Sequence, residues 1–276
     1  MRLAIEHVTT YHFGAPVRHG LQRLRLTPLS GRGQTVIAWD LACENAVREV
    51  VYDDEYANRV TLVSLTAGAR SVAIRATGLV ETTDEAGVSG RHSGHLPLWH
   101  FLRPSRLTTP GAGIAALAGG LEQPGDTLAT LHALSARVAG AVTYAAGHTD
   151  VATSAEAALG LGHGVCQDQA HVFIAAARLL GIPARYVSGH LLIAGREEQE
   201  AGHGWAEGHV EGLGWVGFDV ANAICPDDRY VRLAVGRDYA DAAPVRGMIA
   251  AQSDGEGKGA DRMSIAVTVR ALAATE

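Results

Sequence analysis

The spacing of apolar residues changes twice along this chain of 276 residues, and these changes restrict the folds it can adopt. In its first part apolar and polar residues alternate in short runs, as in half-buried strands; in the first run Leu3, Ile5 and His7 fall on one face. The later runs are "LQRLRLTPL", "TVIAWDLAC", "VREVVYD", "NRVTLVSL" and "SVAIRATGLVE". Short strands at this spacing predict an antiparallel β-sandwich or barrel domain over residues 1–100.

A helical period follows the Pro-containing segment "LPLWHFLRPSRLTTPG". The first predicted helix is capped by Asp126 or Thr127 and has one apolar face. That face consists of Leu128, Leu131, Leu134 and Val138. In the next predicted helix, Thr153 and Glu156 have the spacing of a capping box.

A third helix is predicted over residues 166–180, where Gly181 ends it and Pro183 prevents its resumption. Strand-like segments then return as "PARYVSGHLLIA", "GHGWAEGHVEG", "GWVGFDVAN" and "RMSIAVTVRAL", with the loop-like "GRDYADAAPVRG" before the last of them. A polar, glycine-rich stretch at residues 252–261 is interpreted as a linker that forms a mobile hairpin tip. Residues 101–276 are therefore predicted to form an α+β core with a C-terminal strand.

The composition of the chain argues against several classes of protein. A net charge of −6 without a long basic block disfavours nucleic-acid binding. The N-terminal sequence lacks the apolar centre of a signal peptide, and no apolar run approaches the ~20 residues of a membrane span. The 3 cysteines are odd in number and far apart, so a disulfide framework is not expected. These features predict a cytoplasmic protein without a nucleic-acid or membrane partner.

Cys166 lies at the predicted start of the third helix, where the partial positive charge of the helix end stabilises a thiolate. A nucleophilic thiol also needs a base, usually a histidine, and a group that orients the imidazole. His203 begins a predicted strand and Asp219 lies on the next one, and a turn centred near Glu211 would place the two opposite each other. The order Cys166, His203, Asp219 therefore predicts a catalytic triad.

Other roles remain open for each of these residues taken singly. A cysteine at a helix start is more often a small buried residue, and a His–Asp pair on neighbouring strands is more often a surface pair. A metal site is the weaker alternative: the chain has 13 histidines, but Cys166 and His171 are poorly spaced for one helix face, and no C-x-x-C or H-E-x-x-H motif occurs. No metal or cofactor is therefore expected, and Cys43 and Cys225 are interpreted as structural.

Three residues near the predicted triad are candidates for the substrate pocket. Trp205 has the character to line an acyl pocket or to shield an intermediate, and a role as a core aromatic fits it equally well. Asp168 either caps the helix, where a carboxylate is favourable, or takes part in the chemistry. Gln167 adjoins the predicted nucleophile.

The segments that carry these residues resemble the bacterial transglutaminase-like family. "GVCQDQAHVFIAAARLLGIPARYVSGHL" is similar to the nucleophile segment of that family, and "GHGWAEGHVEGLGWVGFDVAN" to its histidine and aspartate segments, H-A-W-x-E and G-W-x-x-x-D-P-T-N. "AVGRDYADAAPVRG" resembles a C-terminal signature of the same group, and "HVTTYHFGAPV", "LRLTPL" and "DDEYANRV" look like its N-terminal β-region. The resemblance covers nearly the whole chain.

This resemblance implies a papain-like transglutaminase core of the α+β class, with helices packed on an antiparallel sheet and an N-terminal β-domain beside it. It implies Cys166 as the nucleophile, His203 as the base and Asp219 as the orienting carboxylate, in agreement with the spacing. The sequence departs from the family pattern at Gly204, where alanine is usual, at "DVAN", which replaces D-P-T-N, and at His190, where tyrosine is common.

A triad of this kind attacks an amide or ester carbonyl and forms a thioester, which water or an amine resolves. The resemblance favours a cysteine peptidase or amidase that hydrolyses peptide or isopeptide bonds, so the expected partner is a peptide or protein substrate. Protein-glutamine transamidation to an amine is the alternative, and a non-catalytic binding or scaffold protein is the alternative of another class. The sequence contains no D-x-[DN]-x-[DN]-G loop for calcium.

Overall fold

The computed structural model of the protein describes residues 1–121, 125–251 and 261–273, so the predicted linker at residues 252–261 lies outside it except for Asp261. The strands are β1 (Arg2–His12), β2 (Val17–Leu24), β3 (Gln34–Glu44), β4 (Ala46–Asp53), β5 (Arg59–Leu65), β6 (Ser71–Thr82), β7 (Val88–Gly90), β8 (Thr143–Tyr144), β9 (His163–Gly164), β10 (Ala184–Leu191), β11 (Glu198–Gln199), β12 (His203–Val210), β13 (Gly214–Phe218), β14 (Tyr230–Gly236), β15 (Val245–Ala251) and β16 (Arg262–Leu272). The helices are α1 (Ala112–Ala118), α2 (Thr127–Ala141), α3 (Ala155–Leu161), α4 (Cys166–Leu179) and α5 (Tyr239–Ala242), with a 3-10 turn at Leu98–Leu102. None of the helices in these ranges is long and apolar enough to cross a membrane.

The predicted N-terminal antiparallel sheet domain is confirmed, and it consists of two sheets. The first has the strand order β11-β16-β1-β6-β3 and the second the order β15-β2-β5-β4. Apolar side chains from both sheets pack into one buried cluster, as in a sandwich. Its members include Val17, Leu24, Val63, Val72 and Ile74. Both sheets are completed from the far end of the chain, because β16 pairs with β1 and β15 pairs with β2.

The third sheet has the order β14-β10-β12-β13-β7 and forms the core together with helix α4. Helix α4 packs against β10 and β12, and its residues 167–178 are all buried. Helix α2 approaches β12 closely at Gly208, where a Cβ atom would lie 2.7 Å from Leu131 Cδ1. Helices packed on an antiparallel sheet confirm the predicted α+β class.

A buried arginine ties helix α4 to the segments around it. The guanidinium of Arg178 donates to the carbonyls of Phe101, Ala184 and Arg237 at 2.8, 2.9 and 2.7 Å, and to the Thr108 hydroxyl at 2.7 Å. A buried charge is tolerated when hydrogen bonds replace its hydration. These bonds fix the C-terminal end of the helix, and Cys166 lies at the other end of the same rigid element.

The helix caps agree with the sequence at α2 and differ at α3. Asp126 caps α2, since its carboxylate accepts from the Ala129 N–H at 2.8 Å. The predicted capping box of Thr153 and Glu156 is wrong, because Ser154 is the N-cap of α3. The Glu156 carboxylate instead accepts from three backbone N–H groups at the start of α1, at 2.7 to 3.0 Å. Helix α1 has a glycine N-cap and therefore takes its capping carboxylate from a neighbouring helix.

The segment that the sequence predicted to be loop-like contains helix α5 and the start of strand β15. Asp238 caps α5 by accepting from the Asp241 N–H at 3.2 Å. Strand β15 begins with the pair Val245↔Leu24 and runs antiparallel along β2. Its sequence shows little apolar alternation, so the strand depends on pairing with β2 more than on local propensity.

Two buried histidines face each other where the first sheet meets the core sheet. His7 on β1 and His190 on β10 are 2% and 1% exposed, and their ring centroids lie 5.4 Å apart. His7 Nε2 shares a hydrogen bond of 3.0 Å with the Thr9 hydroxyl, whereas neither ring nitrogen of His190 has a partner among the described residues. Burial lowers the pKa of His7 to about 4 and that of His190 well below its usual value, so both imidazoles are neutral at pH 7.

We expect these histidines to make the protein less stable as the pH falls from about 6.5 towards 4. In the unfolded chain both rings take up a proton near pH 6.5, while in the folded protein they stay neutral to lower pH. The unfolded state then binds more protons than the folded state, and the free energy of unfolding decreases as the pH falls. When the pH is lowered from 7 to 5, the free energy of unfolding measured with urea should fall less in His190→Gln than in the wild type. The difference should be up to about 2 kcal/mol.

The matched control for this measurement is His19→Gln, a replacement at an exposed position of β2. It should keep the pH dependence of the wild type. The same pH dependence in all three proteins would contradict a role for the buried pair in acid stability.

Candidate active site

Helix α4 presents Cys166 at its first position, and a carboxylate fixes the turn before it. The Asp168 carboxylate accepts from the Val165 N–H at 2.8 Å and from the Thr149 hydroxyl at 2.6 Å. Gly164 makes room for this carboxylate, since a Cβ atom there would lie 2.6 Å from Asp168 Oδ2. Asp168 therefore caps the helix and holds the backbone from which the thiol projects.

The first turn of α4 supplies backbone donors beside the thiol. The first N–H groups of a helix have no acceptor within it, and those of Cys166 and Gln167 are in this position. Such groups bind an anion at the helix N-terminus. The Gln167 residue is 9% exposed, and Cys166 is partly exposed, so the start of α4 is not sealed in the core.

Strand β12 begins at His203 and places its imidazole between Cys166 and Asp219. The Nε2 atom lies 2.6 Å from Asp219 Oδ2, which leaves Nδ1 for the thiol. Burial alone would lower the pKa of His203, but hydrogen bonds and charge interactions with Asp219 and Cys166 outweigh it and raise the pKa to about 10. The imidazole is therefore protonated at neutral pH, the state that pairs with a thiolate.

Three donors fix the Asp219 carboxylate, which is 1% exposed. Its Oδ2 atom accepts from the His203 ring, from Asn222 Nδ2 at 2.7 Å and from the Tyr230 hydroxyl at 2.7 Å. Burial would raise the pKa of Asp219, but the bonds from these donors lower it below its usual value, so the carboxylate stays charged. Two backbone hydrogen bonds between Asp219 and Ile224, at 2.8 and 3.2 Å, close the turn that carries Asn222.

The hairpin that brings the histidine and the aspartate together has a register two residues away from the predicted one. Val210 pairs with Gly214, so the turn centres on Gly212, one residue later than the sequence predicted. Asp219 follows directly after β13, and the side chain of His203 reaches it diagonally across the two strands.

The Trp205 ring packs against the imidazole. Its centroid lies 6.2 Å from that of His203 at an interplanar angle of 26°, and it meets the Tyr230 ring edge-to-face at 5.4 Å. The residue is 3% exposed, and a Cβ atom at Gly189 would lie 2.7 Å from the indole. Trp205 therefore supports the imidazole from inside the protein.

Tyr186 is a neighbour of the site that the sequence did not reveal. It is 3% exposed, and its hydroxyl fills the space beside Gly204, where a Cβ atom would lie 1.9 Å from the hydroxyl oxygen. Burial and the charge of Cys166 raise the pKa of Tyr186 well above its usual value, so the hydroxyl keeps its proton. The glycine in place of the usual alanine is the one signal in the sequence that points to this contact.

The histidine of helix α4 has a different role from that of His203. His171 is fully buried, and its Nε2 atom accepts from the Tyr239 N–H at 3.0 Å, which joins α4 to α5. In the described ranges, no group of three or more His, Cys, Asp or Glu side chains is arranged to hold a metal ion.

Comparison with known proteins confirms the resemblance seen in the sequence. Residues 3–81 match the bacterial transglutaminase-like N-terminal region, and residues 115–220 match the transglutaminase-like superfamily. An uncharacterized protein of Mycobacterium leprae is 29% identical over an alignment of 285 residues. The alignment covers 99% of this chain and 99% of that protein. An uncharacterized protein of Mycobacterium tuberculosis is 28% identical over 284 residues, and this alignment covers 92% of this chain and 89% of that protein.

The fold also has a counterpart among solved structures. A candidate cysteine protease of Cytophaga hutchinsonii superimposes with a TM-score of 0.78 at 22% identity, over 100% of this chain and 92% of its own. This likeness shows that the two proteins share their fold over the whole of this chain.

At pH 6, iodoacetamide should alkylate Cys166 at least about tenfold faster than Cys43 or Cys225. A protonated imidazole stabilises a neighbouring thiolate, and His203 lies beside Cys166. Burial raises the pKa of the Cys43 and Cys225 thiols, which therefore serve as controls within the same protein. Mass spectrometry of peptides after timed quenching gives the three rates. In His203→Gln the advantage of Cys166 should disappear, and three equal rates in the wild type would contradict the activation of Cys166 by His203.

Proposed function

We propose that this protein, which carries the transglutaminase-like superfamily core at residues 115–220, is a cysteine peptidase or amidase that hydrolyses peptide or isopeptide bonds. The observation that carries the proposal is the 2.6 Å contact between His203 and the buried Asp219, with Cys166 at the start of α4 close enough to raise the pKa of the same imidazole. A thiol, a base and an orienting carboxylate in this arrangement are the components of nucleophilic catalysis. The superfamily match supports a thiol-dependent enzyme.

The reaction starts from the pair of Cys166 thiolate and His203 imidazolium. The sulfur attacks the carbonyl carbon of the substrate, and the C=O electron pair moves onto oxygen. As the C–N bond breaks, the imidazolium proton passes to the leaving amine, which leaves a thioester on Cys166 and a neutral imidazole. His203 then takes a proton from water, the hydroxide attacks the thioester, and the C–S bond breaks to give the carboxylic acid. The thiolate and the imidazolium are restored.

Two groups are placed to stabilise the negative oxygen formed in this reaction. The backbone N–H of Cys166 lies in the first turn of α4, where N–H groups have no acceptor within the helix, and losing such a donor costs about 3 kcal/mol of transition-state stabilisation. The Tyr186 hydroxyl is the second: it is buried beside Gly204, it stays protonated, and it interacts with the charge of Cys166. We assign it as a donor to the oxyanion.

Tyr186→Phe should lower kcat roughly tenfold to a hundredfold with little change in KM, because the hydroxyl acts on charge that develops in the transition state. Gly204→Ala should cause a similar loss, since its methyl group occupies the place of the hydroxyl. The double variant should be no slower than the slower single variant. Turnover of a peptide substrate measures these effects, and circular dichroism checks the fold. Wild-type kcat in Tyr186→Phe, or additive losses in the double variant, would contradict the assignment.

Transamidation uses the same residues, with an amine in the place of water. The two reactions differ in which nucleophile reaches the thioester, so the identity of the triad does not separate them. A non-catalytic scaffold is disfavoured by the site itself, because a scaffold has no need of a protonated imidazole beside a partly exposed cysteine.

Incubation with a mixture of glutamine-containing peptides, with and without a primary amine, should test the reaction. Mass spectrometry should detect cleaved or deamidated peptides in both samples if water resolves the thioester, and amine-modified peptides if transamidation dominates. Cys166→Ala and His203→Ala should be inactive, and Asp219→Asn should lose roughly a thousandfold or more because the imidazole loses its orientation. Turnover by Cys166→Ala at the wild-type rate would refute the proposal.

A further inference from the structure

A cavity of about 490 Å³ lies between the N-terminal sheets and the core sheet. Its walls come from segments 29–34 and 56–58 on the side of the N-terminal sheets, and from segments 89–93 and 232–235 with Arg185 on the side of the core. No member of the triad lines it. The volume is in the range of sites that bind small molecules.

Two side-chain amides fasten the walls of this cavity to each other. Gln34 Nε2 donates to the Arg232 carbonyl at 3.0 Å, and Gln34 Oε1 accepts from the Arg232 N–H at 2.8 Å. Asn58 makes the same two bonds to Val235, each at 2.8 Å. All four residues line the cavity, so its shape is set by the fold and a ligand meets a preformed site.

The lining of the cavity is rich in cations and hydrogen-bond donors. Four of the lining residues are arginines and three are serines, and no carboxylate occurs among the lining residues of the described chain. They are Arg32, Arg91, Arg185, Arg232, Ser30, Ser89 and Ser93. The chain as a whole has a net charge of −6, so this concentration of positive charge differs from the rest of the protein.

Carboxylates behind the wall neutralise only part of this charge. Glu207 is 0% exposed and accepts from Arg185 Nε at 2.6 Å, and the Arg185 guanidinium stacks 4.2 Å from the Trp215 ring. Burial would raise the pKa of Glu207, but Arg185 and Arg232 lower it, so it stays charged. Arg185 and Glu207 therefore form a pair that belongs to the core.

Arg32 has its own partner, Glu85 at 2.8 Å, in an exposed pair of the kind that contributes little to stability. Arg232 forms a longer ion pair of 3.7 Å with Glu207 Oε1, its Nε has no hydrogen bond to any described residue, and its side chain is 31% exposed. Arg91 is exposed at the cavity and enters no ion pair with the residues that the structure describes. Arg91 and Arg232 are thus the two guanidinium groups with capacity for a ligand.

We propose that this cavity binds a small molecule with two negatively charged groups, phosphate or carboxylate, which Arg91 and Arg232 hold. A guanidinium presents a planar fork of N–H groups that matches both kinds of anion bidentately. The Arg232 side chain lines the cavity and is 31% exposed, so its guanidinium is open to a ligand, and the hydroxyls of Ser30 and Ser93 supply further donors. The site is separate from the chemistry at Cys166 and does not depend on it.

Isothermal titration calorimetry at constant ionic strength tests this site with inorganic phosphate, pyrophosphate and citrate as probes. We expect saturable 1:1 binding of pyrophosphate or citrate with a Kd below about 1 mM, and weaker binding of inorganic phosphate, which has one charged group. The stronger of the two larger probes identifies the preferred anion. Arg91→Gln and Arg232→Gln should each weaken that binding at least about tenfold.

Arg75→Gln is the matched control, because Arg75 is an exposed arginine of the first sheet that pairs with Glu6 and does not line the cavity. It should bind the probes like the wild type. Cys166→Ala should also bind like the wild type, which separates this site from the proposed catalysis. If Arg232→Gln does not fold, the exposed Arg91 decides the outcome alone. No saturable binding of any probe up to about 10 mM, or unchanged binding in Arg91→Gln, would overturn the proposal.

Discussion

The buried carboxylate of Asp219 is the group around which the active-site region is organised. Removing a carboxylate from water costs several kcal/mol unless donors replace the water. Here the donors come from three segments: His203 at the start of β12, Asn222 in the turn after β13, and Tyr230 at the start of β14. A shift of any one of these segments would leave a buried charge without its partner, so the position of the imidazole beside Cys166 follows from the assembly of the whole core sheet.

Much of the fold could be predicted because it depends on residues close together in the chain. The alternation in β1 places Leu3 and Ile5 on the buried face, as expected. Helix α4 begins at Cys166 and ends at Leu179, before a glycine with a φ of 74°. The glycine-containing hairpin between His203 and Asp219 allowed the pairing of these two residues to be predicted to within two positions, since the turn sets the register.

Other features arise only when distant segments meet, and the sequence carries little trace of them. Glu156 has the spacing to cap its own helix, yet its carboxylate binds the start of α1, which has no capping side chain. Tyr230 follows Asp219 by 11 positions, and its role depends on where β14 joins the sheet. Tyr186 is one of several apolar or aromatic residues in β10, and only its approach to Gly204 distinguishes it. Local patterns specify elements, while such contacts are specified by the packing of elements against each other.

The change of hydrophobic period near residue 100 marks a change of local structure, but the N-terminal sheets extend beyond it. Strand β16 pairs with β1 from Arg2↔Leu272 to His12↔Arg262, and β15 pairs with β2. Without these partners β1 and β2 would be open edges with unpaired N–H and C=O groups, which invite pairing with other chains. In the sequence, the core lies between β1–β6 and the C-terminal strands β15 and β16. The sandwich is therefore complete only when these C-terminal strands have paired with β2 and β1. The amides of Gln34 and Asn58 then fasten the closed sandwich to β14, the strand that also brings Tyr230 to Asp219.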